Sequence, residues 1–173
     1  ITASSNSPGQ GYFNRGDVRK SGMPSESALP TDLVLADVDF FDTYGLEILS
    51  QTEIPEKLPD WSYTFVNEEA LKALELGTPE EALGQELELL SYKLKVLGVV
   101  KNFHWDSPRE MHVPTLLLLD NAFGVYFSIK TDLSSPQQTI AQIESAYKKA
   151  FPGDPFNYFF LDDNFNRQYQ TDL

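Results

Sequence analysis

The sequence predicts a mixed α+β fold, and three observations carry that reading. Stretches of alternating apolar residues are interleaved with stretches of helical period. The loops between them are irregular, which disfavours a clean parallel sheet built from repeated β-α-β units. At 173 residues, 41% apolar and 13% aromatic, the chain can bury a core as one domain or as two small lobes sharing a sheet.

Taken in order, Ile1 to Ser5 is a short strand. Asn6 to Pro30 follows, where Pro8-Gly9, Gly11, Gly16, Gly22, Pro24 and Pro30 interrupt the chain too often for a helix or a long strand. This stretch is expected to be a loop, free or pinned by Tyr12 and Phe13. Leu33 to Val38 reads as a strand and Asp39 to Tyr44 as a brief helix, with Phe40, Phe41 and Tyr44 inward and Gly45 as its stop. Gln51 to Asp60, with Pro55 and Pro59, is a second loop. Trp61, Tyr63 and Phe65 alternate along one face of a strand that ends at Val66. Asn67 caps a helix whose inner face is Ala70, Leu71 and Leu74. Thr78-Pro79-Glu80-Glu81 has the order of a capping box. The Thr hydroxyl and Glu81 serve each other's orphan N–H, and Pro79 sits where no N–H is needed. Gly84 ends that helix.

Glu86 to Leu90 and Tyr92 to Phe103 read as two paired strands, and the apolar run Leu97-Gly98-Val99-Val100 points to burial on both faces. Thr115 to Asp120 and Val125 to Lys130 are expected to form a hairpin around Asn121 to Gly124. Ser135 caps the best helix of the chain, with Pro136 first and Ile140, Ile143, Tyr147 and Ala150 as its apolar stripe. Pro152-Gly153 stops it. Phe156 to Leu161 is the expected last strand. Its Phe156, Tyr158 and Phe160 are expected to pack on that stripe in preference to lining a binding groove. A helix is expected to begin near Asp163.

Charge excludes some partners. Lys plus Arg number 13 against 26 for Asp plus Glu, a formal charge of −13 that repels polyphosphate and anionic lipid. No nucleic-acid partner is expected. Cysteine is absent, which removes disulfides, thiolate metal sites and cysteine nucleophiles. No apolar run approaches the roughly 20 residues of a spanning helix. The chain begins at Ile1, not Met, and is expected to be an excised fragment of a longer protein.

Catalytic signals are weak. His104 and His112 flank Asp106 and Glu110, but the spacing matches no HExxH-type zinc motif, and His104 is expected to be structural. Asp162-Asp163-Asn164-Phe165-Asn166 fails as a calcium loop. Counted from Asp162, Arg167 stands where the loop needs glycine, and Leu173 where it needs glutamate. Capping of a final helix by Asp162 or Asp163 is the simpler use. GxSxG, Walker A and helix-opening GxGxxG motifs are missing. Arg15-Gly16-Asp17 spells an adhesion tripeptide in a Gly-rich stretch and is expected to be incidental. No catalytic residue, metal or cofactor is therefore expected.

Three stretches in register resemble one known family. Leu35 to Leu49, LADVDFFDTYGLEIL, is similar to its "V-x-x-D-F-F-x-T-F-G-I-x-L-L" segment. VNEEALKALEL, TPEEALGQEL and KVLGVVKNFHWDSP resemble a second family segment that includes "I-I-G-V-V-K-D-F-H-F-x-S". Phe151 to Tyr169, FPGDPFNYFFLDDNFNRQY, resembles "FPGYPFEYSFLDEDFDRLY", and Thr2 to Gly9 resembles "TASSNVPG". The family is the MacB/FtsX-like permeases of ABC transporters, in their Bacteroidetes branch. Two departures are that Ser50-Gln51 stands where a Gly-Arg usually follows, and Asn102 where Asp is commoner.

The resemblance implies an extracytoplasmic domain on the periplasmic face of the bacterial inner membrane. It implies a mixed-sheet, porter-like, membrane-proximal lobe (1–36 and 114–173) with a second α/β lobe (37–113) inserted into it. The implied work is non-enzymatic coupling of cytoplasmic ATP hydrolysis, through membrane helices, to export or to regulation of a partner. The implied partners are a cytoplasmic ATPase subunit, a second permease copy, and a periplasmic or outer-membrane protein. Asp163, Phe165, Arg167 and Tyr169 would lie on the connector toward the membrane. A free-standing ligand- or glycan-binding domain is the alternative, and a hydrolase with two carboxyls facing across an acidic cleft is a third reading.

Overall fold

A computed structural model describes residues 1–8, 14–59, 61–104, 111–120, 124–131 and 135–163. The chain falls into two units, Ile1–Ser128 and Ile129–Leu173. Among its described residues the first carries nine strands: β1 (Thr2–Ser4), β2 (Asn14–Lys20), β3 (Leu29–Ala36), β4 (Ile48–Gln51), β5 (Tyr63–Asn67), β6 (Glu86–Leu89), β7 (Tyr92–Val100), β8 (Thr115–Leu119) and β9 (Tyr126–Ser128). Three short helices accompany them: α1 (Phe40–Tyr44), α2 (Glu68–Ala73) and α3 (Pro79–Ala82).

The sheet is mixed, as the α+β reading expects. β8 runs parallel to β3 and antiparallel to β5, while β5 runs parallel to β7. Pairing proceeds β2–β6–β7–β5–β8–β3 and returns from β3 to β2, so six strands close a ring. β4 joins β7, and β1 carries β9 outward from the end of β3. The strands of residues 37–113 are contiguous in this sheet, as β6–β7–β5 with β4 on β7, and β2, β3 and β8 complete the ring.

Strand period sorts the apolar side chains onto two faces. Leu116 and Leu118 of β8 join one cluster with Leu33 and Leu35 of β3; Leu117 and Leu119 join the other with Val34 and Ala36. Ala70 of α2 and Ala82 of α3 pack into the first cluster, and Phe40 and Phe41 of α1 into the second. Burial on both faces explains the unbroken apolar runs. Leu116 to Leu119 are each at most 1% exposed, and each such side chain contributes about 1.5–3 kcal/mol of transfer free energy.

β7 changes face at Gly98. Leu94, Val96 and Val99 point to the first cluster, Leu97 and Val100 to the second. The switch is a bulge, because the register with β5 skips Leu97 between Thr64 and Phe65. A Cβ on Gly98 would lie 2.2 Å from Phe65 Cε1, so the absent side chain is the space that the Phe65 ring occupies.

The local caps follow the sequence. Asn67 Oδ1 accepts the Ala70 N–H at 2.9 Å. Thr78 Oγ1 accepts from Glu81 N–H at 3.3 Å, and Glu81 accepts from Thr78 N–H at 2.8 Å, completing the box. Gly45 closes α1 in the left-handed region at φ 67°.

Several expectations are corrected. The 6–30 stretch contains a seven-residue strand, β2, despite Gly16, because β3 and β6 pair with it. The expected 115–130 hairpin does not form: both edges of β8 are taken by β3 and β5, and β9 pairs with β1. Trp61 lies outside β5 at φ 54°, and β4 takes Gln51, the first residue of the expected 51–60 loop.

The second unit contains α4 (Pro136–Ala150). Pro136 opens it as expected, but the Ser135 side chain makes no cap; its carbonyl instead accepts from the Thr139 N–H and hydroxyl, each at 3.1 Å. Ala150 is exposed, so the stripe ends at Tyr147, whose ring meets Phe151 at 5.0 Å and Phe156 at 5.5 Å. Residues 156–160 are not in a strand, and Tyr158 and Phe160 continue the ring contacts while 56% and 40% exposed.

Candidate functional site

The first unit begins and ends on neighbouring strands. Thr2, Ala3 and Ser4 of β1 face Ser128, Phe127 and Tyr126 of β9 in antiparallel register. That register sets the start of the chain beside the exit from this unit. Any displacement applied through residue 1 or residue 129 is therefore delivered to one edge of the sheet.

This edge is unusually polar inside. Thr2 and Ser4 are fully buried, and Ser5, Asn6 and Ser7 nearly so. Buried hydroxyls and amides need partners, and here they find each other. The Thr2 hydroxyl donates to one Asp37 oxygen, and the other accepts the Ala3 N–H at 2.7 Å. The Asp37 N–H donates back to the Ala3 carbonyl at 3.1 Å. Ser5 Oγ accepts from the Leu35 N–H at 3.0 Å and donates to Asn6 Oδ1 at 2.6 Å, while Ser4 Oγ donates to the Asn6 carbonyl at 2.7 Å.

α1 closes the knot from the other side. Tyr44 Oη and Ser128 Oγ are 2.6 Å apart. Burial pushes the Tyr44 phenol above its ordinary range, and hydrogen bonds to Ser128 and Ser7 partly offset that. Asp37 and Tyr44 bracket the α1 segment, so this short helix fastens β1 through one end and β9 through the other. Charge-assisted bonds such as the pair on Asp37 are stronger than neutral ones. One carboxylate, several hydroxyls and a phenol held protonated suit holding two strands in place better than they suit bond-making chemistry.

The residues singled out from sequence fare differently. Asp163 lies in a helical turn at 161–163, exposed, with its N–H donating to the Phe160 carbonyl at 3.2 Å. Phe165, Arg167 and Tyr169 lie outside the described residues. Arg15 of the adhesion-like tripeptide bonds Asp32 of β3 at 2.7 Å. His104 and His112 come together, with ring centroids 4.3 Å apart, while Asp106 and Glu110 lie outside the described residues. Among the described residues no three of His, Cys, Asp and Glu form a metal-holding group, and no helix is long and apolar enough to cross a membrane.

Thr2, Asp37, Tyr44 and Ser128 were not legible as a site. The available signal was a strand-length run of hydroxyl and amide residues, Thr2 to Ser7, beside an aspartate that directly follows an apolar strand.

No family model and no curated protein matches this sequence. Solved structures do. The periplasmic region of MacB from Actinobacillus actinomycetemcomitans aligns over 98% of this chain and 74% of its own, with a TM-score of 0.61 and 14% identity. The chain has the fold of a MacB-like periplasmic domain. A domain of a protein described as a permease from Porphyromonas gingivalis aligns over 97% of this chain and 82% of its own, with a TM-score of 0.58 and 14% identity. The MacB-like fold is thus shared across nearly the whole chain, and at this identity the likeness is one of architecture.

Proposed function

We propose that this chain is the extracytoplasmic domain of an ABC-transporter permease, standing on the periplasmic face of the bacterial inner membrane. In this reading it is a non-enzymatic module that couples cytoplasmic ATP hydrolysis, through membrane helices, to export or to regulation of a periplasmic partner. The observation that carries the proposal is the alignment of 97–98% of the chain with two domains, one from MacB and one from a protein described as a permease. The placement of β1 beside β9 supports it, since a domain driven from a membrane benefits from receiving displacement at one edge.

Residues 1–36 and 114–173 form the membrane-proximal part in this reading, and residues 37–113 the inserted part. Asp163, Phe165, Arg167 and Tyr169 lie on the connector. The partners are an ATPase subunit, a second permease copy, and a periplasmic or outer-membrane protein. The test uses the full-length parent, purified from membranes with whatever ATPase subunit accompanies it. Asp37→Ala unfastens β1, and it is expected to lower transport-coupled ATP hydrolysis while leaving assembly of the complex intact. A parent protein that is not membrane-bound, or whose hydrolysis is unchanged by Asp37→Ala, overturns the proposal.

A further inference from the structure

β9 is fastened differently from the rest of its sheet. Among the described residues neither core cluster includes a residue of β1 or β9, whereas Leu116 to Leu119 of β8 all join one cluster or the other. β1 is held instead by hydrogen bonds to β3 and the residue after it. The Ser5 N–H donates to the Leu35 carbonyl at 2.8 Å, the Asp37 N–H donates to the Ala3 carbonyl at 3.1 Å, and the Asp37 carboxylate takes the Thr2 hydroxyl and the Ala3 N–H. β9 is bound by its ladder with β1 and by the 2.6 Å hydrogen bond between Tyr44 and Ser128.

The register of that ladder decides how it opens. The two strands are antiparallel, and Thr2 stands opposite Ser128. The chain therefore enters β1 and leaves β9 at the same end. Drawing those two points apart loads the inter-strand bonds one after another from that end, as in unzipping, whereas shear would load them together. The side-chain ties stand at this end too, Thr2 on Asp37 and Ser128 on Tyr44. Tyr44 is itself anchored, with its ring packed against the second cluster and 4.6 Å from Phe40. A short strand with no place in a core cluster belongs to the part of a structure that opens at low cost.

We propose that β9 is a latch. It peels from β1 as a local unit, beginning at Ser128, while the ring of six strands stays folded, and the Tyr44–Ser128 hydrogen bond holds it shut. Opening frees its three residues, which reach at most about 10 Å when extended. The connection that follows Ser128 gains that length, and β1 stays behind on its own ties. The inference rests on this edge alone and does not require the transport reading.

The test is native-state hydrogen exchange of the intact chain, read by mass spectrometry on peptides that separate β8 from β9, at several urea concentrations below the unfolding transition. β9 amides are expected to exchange faster than those of β8 and almost independently of urea, because a local opening exposes little surface. Tyr44→Phe keeps the ring and removes the hydroxyl, and Ser128→Ala removes the same bond without touching the core. Each should speed β9 exchange about three- to tenfold. Val99→Ala, which deletes two buried methyl groups from β7, should speed β8 exchange by at least about tenfold and leave β9 unchanged. Exchange of β9 with the rate and urea dependence of β8 overturns the proposal. So does a β9 response to Val99→Ala as large as that of β8, or β9 exchange unaltered in both Tyr44→Phe and Ser128→Ala.

Discussion

Replacing Gly98 by alanine tests whether the bulge in β7 exists to admit the Phe65 ring. The new Cβ would stand 2.2 Å from Phe65 Cε1, 2.5 Å from Phe65 Cδ1 and 2.9 Å from the Ser50 carbonyl oxygen. The ring cannot swing away freely, because Phe65 is fully buried and meets Phe41 at a centroid distance of 4.5 Å. The Ser50 oxygen is backbone, held in the β4–β7 pairing. Overpacking of this kind costs about 1–3 kcal/mol, and two obstacles place it at the upper end. Against that, alanine loses less backbone entropy on folding than glycine, a gain of about 0.4–1 kcal/mol. The net expectation is a loss of about 2 kcal/mol, or a Tm lower by about 4–8 °C for a chain of this size. Urea denaturation followed by far-UV circular dichroism measures it. Phe65→Leu should cost stability in the wild type yet recover part of the loss in Gly98→Ala, giving a non-additive double-mutant cycle. Unchanged or raised stability in Gly98→Ala, or strict additivity with Phe65→Leu, would refute the packing argument.

Three further outcomes follow from named contacts. Thr78→Ala removes the side-chain half of the capping box on α3 and should cost about 1 kcal/mol in urea, whereas Thr78→Ser should cost little. Arg15→Ala leaves the Asp32 side chain, only 4% exposed, without its 2.7 Å partner. A loss of about 1–3 kcal/mol is expected, and Asp32→Asn in the same background should soften it; a neutral Arg15→Ala would contradict the pairing. The Arg19 guanidinium, with help from the Ser21 hydroxyl, holds the Glu88 carboxyl below the ordinary glutamate value of 4.5. A carboxylate with a depressed folded-state pKa stabilises above its unfolded value, and that stability is lost as pH falls through the folded one. The stability gap between wild type and Glu88→Gln should thus hold steady at neutral pH and close as pH drops below 4.5; a gap that persists in acid contradicts this linkage.

What was legible in the sequence was local. The Thr78–Glu81 box, the Asn67 cap and the Gly45 stop each place a side chain within a few residues of its target, so spacing alone encodes them. The two-faced burial of β7 was also readable, because period two cannot hide the unbroken apolar run Leu97-Gly98-Val99-Val100 on one face. The alternation of Trp61 with Tyr63 and Phe65 gave the strand but misplaced its start, since Trp61 turns aside to stack near Tyr92 at 5.0 Å. β2 was missed because glycine and proline argue against strands unless a distant partner requires them. Gly16 has such partners: a Cβ there would stand 2.5 Å from Leu89 Cδ1 and 2.9 Å from Leu33 Cδ1. The polar knot was illegible for a similar reason. Thr2 and Asp37 are 35 residues apart, and Tyr44 and Ser128 are 84 apart, so nothing in either neighbourhood announces the other. The resemblance over three stretches carried the architecture further than periodicity did, and the MacB-like fold bears it out.

The position of β8 has a consequence for how the chain is made. It is the last strand of the ring to be synthesised, yet it fills the slot between β3 and β5, with all five of its residues buried. Until residue 119 has emerged, β3 and β5 each present an unpaired edge, and apolar side chains on both faces of β3 remain uncovered. Long-range closure of this kind slows folding, and open edges invite association. A nascent chain stalled before Thr115 should therefore be far more dependent on chaperones than one stalled a few residues after Ser128. The hazard of this domain lies in the interval before its centre arrives, not in its finished state.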